Sequence, residues 1–412
     1  MVPFSKFEVV DKSTTFHISD VDLSIVNGLR RIILSEIPHA AIAFDPYDIN
    51  ENDIDMVNNN TSLHNEFLGH RISLLPIYFP HEIIKNFDQD DYTFVIDVSN
   101  KEKTIINVTT EDIKIYDESG TLYGEDFHRQ LFPSFKPNPD NEYYPVIVRL
   151  KPSVKNDKEG QSLHVRFKCR LDIAQKHVRW CPVSQCAFEN LVDEKKVQNE
   201  RSTITDEMLL HKFDTIGRQR LYHTNEYNEA NAFIFKIESE SGLHPCQLFY
   251  NGIELLMSKF DILIDNFDGI KHDMLQNGMH IFVFANQDHT IGNMLQCAIY
   301  NTHSHQRGDK KVEYVGYNVP HPLKTDMVIK IKCTDEDEDA SKLLKTILET
   351  TKKYIIDLRN SFDSEASVYL TNGEVKKSVD DSDDEEDSDD EEDSDDDDQV
   401  SVVKKPVAKK PV

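Results

Sequence analysis

The chain has 412 residues, 38% of them hydrophobic, and a formal charge of −28 at neutral pH. That is length for two or three domains and apolar content enough for real cores. The acidity is not confined to one end: residues 378–412 carry 16 acidic residues against 4 lysines, yet the remainder still holds −16, which argues against wrapping nucleic acid with the general surface and favours protein partners.

Phe7–Val10 and Thr14–Ile18 read as two short strands leading into Asp20–Pro38, the stretch around which the chain is organised. Ser19, Asp20 and Asp22 supply helix-cap chemistry. Val21, Ile25, Leu29 and Ile32 recur at helical spacing, and Pro38 closes the run. Arg30 and Arg31 stand mid-helix, so at least one is expected to point away from the buried stripe. Far downstream, Asp288–Leu295 repeats the scheme of Asp22–Leu29, with Asn293 and Leu295 where Asn27 and Leu29 stand and Ile299 where Ile33 stands. One repeat at an offset of 266 residues points to two related half-units rather than a solenoid; two similarly capped helices by coincidence is the plainer alternative.

After Pro38, Ala40–Phe44 reads as a strand and Thr61–Pro76 as a second capped helix with Leu63, Phe67, Ile72 and Leu75 on one face. From Tyr78 to Asn231 the period changes to two. Strands are expected at Thr93–Val98, Thr104–Val108, Asp112–Tyr116 and, most clearly, Leu163–Leu171, whose polar face carries His164, Arg166, Lys168 and Arg170. A solvated strand face is the ordinary explanation of that basic stripe, and a partner contact the other. Phe233–Ile237 returns to strand character. Then Phe249, Ile253, Leu256, Phe260, Leu263 and Phe267 follow at spacings of 4, 3, 4, 3, 4, the seam one helix uses against another. Leu344, Leu348, Thr351, Ile355, Leu358 and Phe362 repeat it, after strands at Met279–Phe284, Val312–Val319 and Met327–Cys333.

The expected fold is therefore α+β: an intramolecular pseudo-dimer with a β-rich domain inserted in its first half. Residues 1–77 and 232–268 form the first half, 78–231 the insertion and 269–370 the second half. Residues 371–412 form an acidic and then basic tail too polar to order itself, with Ser382, Ser388 and Ser394 as phosphorylation candidates. The six cysteines show no disulfide framework, the N-terminus lacks a signal-peptide core, and no apolar run approaches a membrane span, so a reducing compartment is expected.

Four motifs, in order, carry a resemblance. N-G-L-R-R-I-I-L-S-E-I-P at 27–38 and N-E-F-L-G-H-R-I-S-L-L-P-I at 65–77 resemble the signature of the alpha-like subunits of DNA-dependent RNA polymerase. A-Q-K-H-V-R-W-C-P-V at 174–183 resembles a loop of the third-largest eukaryotic subunit. D-H-T-I-G-N-M-L at 288–295 with Y-V-G-Y-N-V-P-H-P-L at 314–323 resembles the small partner, the eleventh subunit. The resemblance covers roughly residues 4–367 and implies both alpha-like subunits in one chain: a non-catalytic assembly platform whose halves pair and dock the two large catalytic subunits, with a small accessory subunit, in a heteromultimer. DNA and RNA would be met only through the complex. It also implies large-subunit contacts for Arg30, Arg31, His70, Arg71, Lys176, His177 and Trp180; arginine and tryptophan are the side chains that most often anchor interfaces.

The family's four-cysteine zinc loop is missing, since no cysteine precedes Cys169, and Cys181 with Cys186 is a single pair where a structural zinc takes four ligands. No metal, cofactor or catalytic residue is expected. Two other readings compete: a stand-alone, histone-chaperone-like acidic module acting through the tail, and a zinc enzyme using Cys181, Cys186 and histidines; His303, His305 and His321 are read as loop histidines. Joining two subunits resembles the habit of large DNA viruses, which places the protein in host cytoplasm and virion, with the nucleus as the alternative.

Overall fold

The structure is a computed structural model and describes residues 3–138, 141–153, 160–321, 323–335 and 338–370. The expected tail, with Ser382, Ser388 and Ser394, lies outside the described residues.

The chain opens with a hairpin of β1 (Phe4–Val10) and β2 (Ser13–Ser19) and the helix α1 (Leu23–Ser35). It then makes β3 (His39–Ala41), β4 (Ile54–Asn59), α2 (Asn65–Ser73), α3 (His81–Lys85), β5 (Thr93–Ser99), β6 (Ile106–Thr109), β7 (Ile113–Tyr116), α4 (Glu125–Leu131), β8 (Phe135–Asn138), β9 (Asn141–Tyr143), β10 (Val146–Leu150), β11 (Ser162–Phe167) and β12 (Arg170–Asp172). Next come β13 (Val183–Asn190), α5 (Glu194–Arg201), α6 (Glu207–Lys212), β14 (Ala232–Ser239) and the long helix α7 (Pro245–Asp265). The last section is β15 (Lys271–Met274), β16 (Met279–Phe284), α8 (His289–His303), β17 (Val312–Asn318), β18 (Met327–Cys333) and α9 (Ala340–Leu370). Among the described residues no helix is long and apolar enough to cross a membrane.

Two antiparallel sheets share one connectivity. The first is ordered β1-β2-β14-β13 and the second β15-β16-β18-β17. In each, a hairpin feeds a capped helix, two later strands join beside the hairpin's second strand, and a long helix follows. All four of these helices contribute to a single hydrophobic core, which runs from Phe4 and Phe16 through Phe249, Leu256 and Leu295 to Leu348 and Phe362. A second core, around Phe94, Phe132, Leu163 and Phe167, fills the section between α1 and β13.

Three expectations need correction. The insertion does not run from 78 to 231. Strand β13 pairs along its length with β14 in the first sheet, while β3 and β4 pair with β12 and β11, so ladder pairing moves both boundaries toward the N-terminus. The strand expected over Leu163–Leu171 breaks after Phe167. Its backbone leaves β4 and β5, Lys168 N donates to Asp53 O at 3.1 Å, and Arg170 restarts against β3. The alternation survived a change of partner, which periodicity alone cannot register. Finally, α2 begins at Asn65 with no side-chain cap, and Phe67 is 60% exposed rather than on the buried face.

Candidate functional site

The two motif helices meet. Asp22 caps α1 by accepting from Ser24 N at 2.8 Å, and Asp288 caps α8 by accepting from Thr290 N at 2.8 Å. Each cap also faces the other helix. Arg31 Nη2 donates to Asp288 Oδ2 at 2.7 Å and its Nε to Thr290 Oγ1 at 2.9 Å. On the opposite side, Asn301 Nδ2 donates to Asp22 Oδ2 at 3.2 Å. Where the repeat puts an arginine at 31 it puts a cysteine at 297. Burial first, and then the Asp22 charge, push that thiol up to about 11. Burial works to raise the Asp288 carboxyl, but the Thr290 amide and hydroxyl and the Arg31 guanidinium outweigh it and hold the group below its usual value. Close to the crossing point, Gly28 lies under Met294: a Cβ there would fall 1.7 Å from Met294 Cε.

The long helices pack beside them. Ile253, Leu256, Phe260 and Leu263 on α7, and Leu344, Leu348, Ile355, Leu358 and Phe362 on α9, are all buried in the shared core. Phe249 and Phe362 lie 4.7 Å apart between ring centroids. Glu254 pairs with Arg359 at 3.0 Å and Asp261 with Lys352, an order that makes the helices antiparallel. Phe267 is the exception in the expected seam. The helix ends at Asp265, so Phe267 sits in the following turn, half-buried beneath Lys345.

Comparison with known proteins returns one family twice. The RNA polymerase Rpb3/Rpb11 dimerisation domain matches residues 15–260 and again residues 280–361. The chain belongs to this Rpb3/Rpb11 family. It is 24% identical over 314 residues to DNA-directed RNA polymerases II, IV and V subunit 3 of Arabidopsis thaliana, a match covering 65% of this chain and 91% of that one. It is 22% identical over 298 residues to DNA-directed RNA polymerases I and III subunit RPAC1 of Saccharomyces cerevisiae, covering 61% and 83%. To DNA-directed RNA polymerase subunit Rpo3 of Thermococcus kodakarensis it is 28% identical over 184 residues, covering 44% and 57%.

Within this Rpb3/Rpb11 chain the residues expected to touch large subunits divide. Trp180 is 2% exposed, packed on Ala41 and Ala43, and its indole N–H donates to Arg170 O at 3.2 Å. It is core, and the expectation of a surface anchor is corrected: the short turn Val178–Trp180 aims the ring inward. Arg31 is turned to α8 as described, and Arg30 Nε donates to Asn27 Oδ1 on its own helix at 3.0 Å. His70, Arg71, Lys176 and His177, by contrast, are exposed. Arg71 is steered by the carbonyls of Val146 and Ile147, both at 2.8 Å, and His70 stands edge-on to Phe44. His177 Nδ1 accepts from Arg179 N and Nε. Burial, then the positive charges of Arg179 and His70, lower its pKa. Phe67, Leu74 and Val178 add exposed apolar surface at 60%, 57% and 68% on the same two segments, α2 and the turn before Cys181. The arrangement sets polar and apolar side chains side by side on the surface.

Sequence reasoning missed two anchors. Arg170, assigned to an outward basic stripe, instead forks onto Asp53, with Nε to Oδ2 at 2.6 Å and Nη2 to Oδ1; Lys168 likewise pairs with Asp90. Arg307, never singled out, holds Glu229 with two bonds at 2.7 Å, donates to Asn301, and stacks on Tyr227 at 4.3 Å. It ties the loop after α8 to the segment before β14. The pairing partners lie 117 and 78 residues apart, and no local pattern links them.

Proposed function

We propose that this chain is the assembly platform of a DNA-directed RNA polymerase, carrying both alpha-like folds in one polypeptide and pairing them intramolecularly. The observation that carries this reading is the double family match on a single chain, joined to a core common to the helices of both matched regions. The Arabidopsis relative is spanned over 91% of its length but accounts for only 65% of this chain, and a second dimerisation-domain match covers residues 280–361. That supports a joined pair of subunits. The chemistry of nucleotide addition belongs, in this reading, to the large subunits. They dock on the face of His70, Arg71, Lys176 and His177 with Phe67, Leu74 and Val178, and a small accessory subunit completes the complex.

The test is co-expression with the two largest polymerase subunits and purification through one of them. The wild-type chain should co-purify, and Phe67→Asp with Leu74→Asp should lose most of the complex while folding normally. Intact assembly of that variant would remove the docking face; a wild-type chain that never enters the complex would remove the function. Deleting 378–412 should leave assembly unchanged, whereas a tail-driven chaperone would lose its interaction. The joined architecture also supports a viral source transcribing in host cytoplasm, which the composition of polymerase purified from that source would test.

A further inference from the structure

Under the 266-residue repeat, position 28 corresponds to 294 and position 31 to 297. In a two-fold arrangement, a residue near the axis faces its own equivalent. Gly28 faces Met294, so the axis relating α1 and α8 passes close to this contact. Away from the axis, equivalent positions reach across to equivalent targets: Arg31 to Asp288 and Thr290, and Cys297 to the neighbourhood of Asp22 and Ser24, with which it lines one cavity. At both places the two halves carry residues of opposite kind, small against large and cationic against neutral.

On the reading that the chain is two paired halves, we propose that Gly28–Met294 and Arg31–Cys297 form a built-in recognition code that favours pairing of unlike halves over pairing of like ones. Two first halves would set Gly28 against Gly28 and leave the space now filled by the Met294 side chain. Two second halves would set Met294 against Met294, where the present structure has no room even for a Cβ on the facing helix. They would also set the partly buried Asp288 against Cys297 instead of a guanidinium. The code therefore rejects one wrong pairing by a void and the other by a clash and an uncompensated carboxylate. Its purpose in a joined chain is to stop the first halves of two copies, or their second halves, from pairing with each other.

The test uses the full chain and three variants: Gly28→Met, Met294→Gly, and both together. Each single variant matches the sizes at the axis wrongly. It should lower the thermal midpoint by about 5 °C or more and raise the fraction of double-mass species in native mass spectrometry. The double variant restores one small and one large residue in exchanged positions and should recover most of both losses. A double variant as unstable as the summed singles, or singles with an unchanged midpoint, would overturn the code. If Gly28→Met yields no folded protein, Gly28→Ala with Met294→Ala reads the same coupling at smaller amplitude. No other polymerase subunit takes part, so failure here is separable from failure of the platform reading, which co-purification decides.

Discussion

Replacing Arg170 with methionine tests the contact on which the 170–181 segment rests. The Asp53 side chain is 4% exposed and the Arg170 side chain 23%. Among the described residues, the carboxylate receives besides Arg170 two long bonds, from Ala43 N at 3.3 Å and Gln89 Nε2 at 3.4 Å. Arg170→Met retains much of the apolar stem but leaves a buried carboxylate with no cation at its two short contacts. Removing one partner of a buried pair costs about 3–5 kcal/mol. The partial exposure of the arginine places this case near the lower figure, about 3 kcal/mol. The protein's one tryptophan is a natural probe, since Trp180 hydrogen-bonds the Arg170 carbonyl, so urea unfolding followed by its fluorescence reads the affected region. Adding Asp53→Asn to Arg170→Met removes the stranded charge and should return the midpoint most of the way to wild type. A loss below about 1 kcal/mol for Arg170→Met, or a double variant weaker than the single, would refute the assignment of this pair as the anchor.

Other outcomes follow from the same geometry. Leu256→Ala or Leu348→Ala, each buried between α7 and α9, should cost about 2–5 kcal/mol in chemical unfolding. Gly252→Val, whose Cβ would stand 2.8 Å from Ile33 Cγ1, should cost about 1–3 kcal/mol by overpacking. Burial holds His39 neutral by lowering its pKa from 6.5 to about 4. The unfolded chain therefore binds more protons between those values, and stability, complete above pH 6.5, falls as pH drops toward 4, by about 3 kcal/mol. His39→Leu should flatten that part of the pH–stability curve, and an unchanged slope would count against it. Asp288, with a folded pKa below its ordinary 3.8, acts at lower pH. Its contribution is present above that value and disappears as pH falls through the folded pKa, so Asp288→Asn should lower stability at pH 7 and narrow its gap to wild type in strong acid.

What could be read from the sequence was whatever a single element states about itself. The caps at Asp22 and Asp288, the repeat between them, and the seams through Leu256 and Leu348 are local patterns, and each of these residues sits in the structure on the helix it was assigned to. Contacts between elements were legible only where two local patterns matched one another, as the seams do. Where the partner is defined by chain path alone, the reading failed in a consistent direction: polar groups were sent outward. Arg170 was given to solvent and Trp180 to a partner, because an arginine on an alternating strand and a tryptophan beside basic residues look exposed when nothing in the sequence places Asp53 or Ala43 next to them. Arg31 was given to a partner for the same reason, although Asp288 and Thr290, which it contacts, already stood in the second copy of the motif. Superposing the two motifs as a two-fold pair would have drawn them together, since an axis near position 28 brings each helix's third turn to the other helix's cap. The duplicated motif thus held more geometry than its spacing alone expresses: given the symmetry, which residues turn inward follows from the sequence.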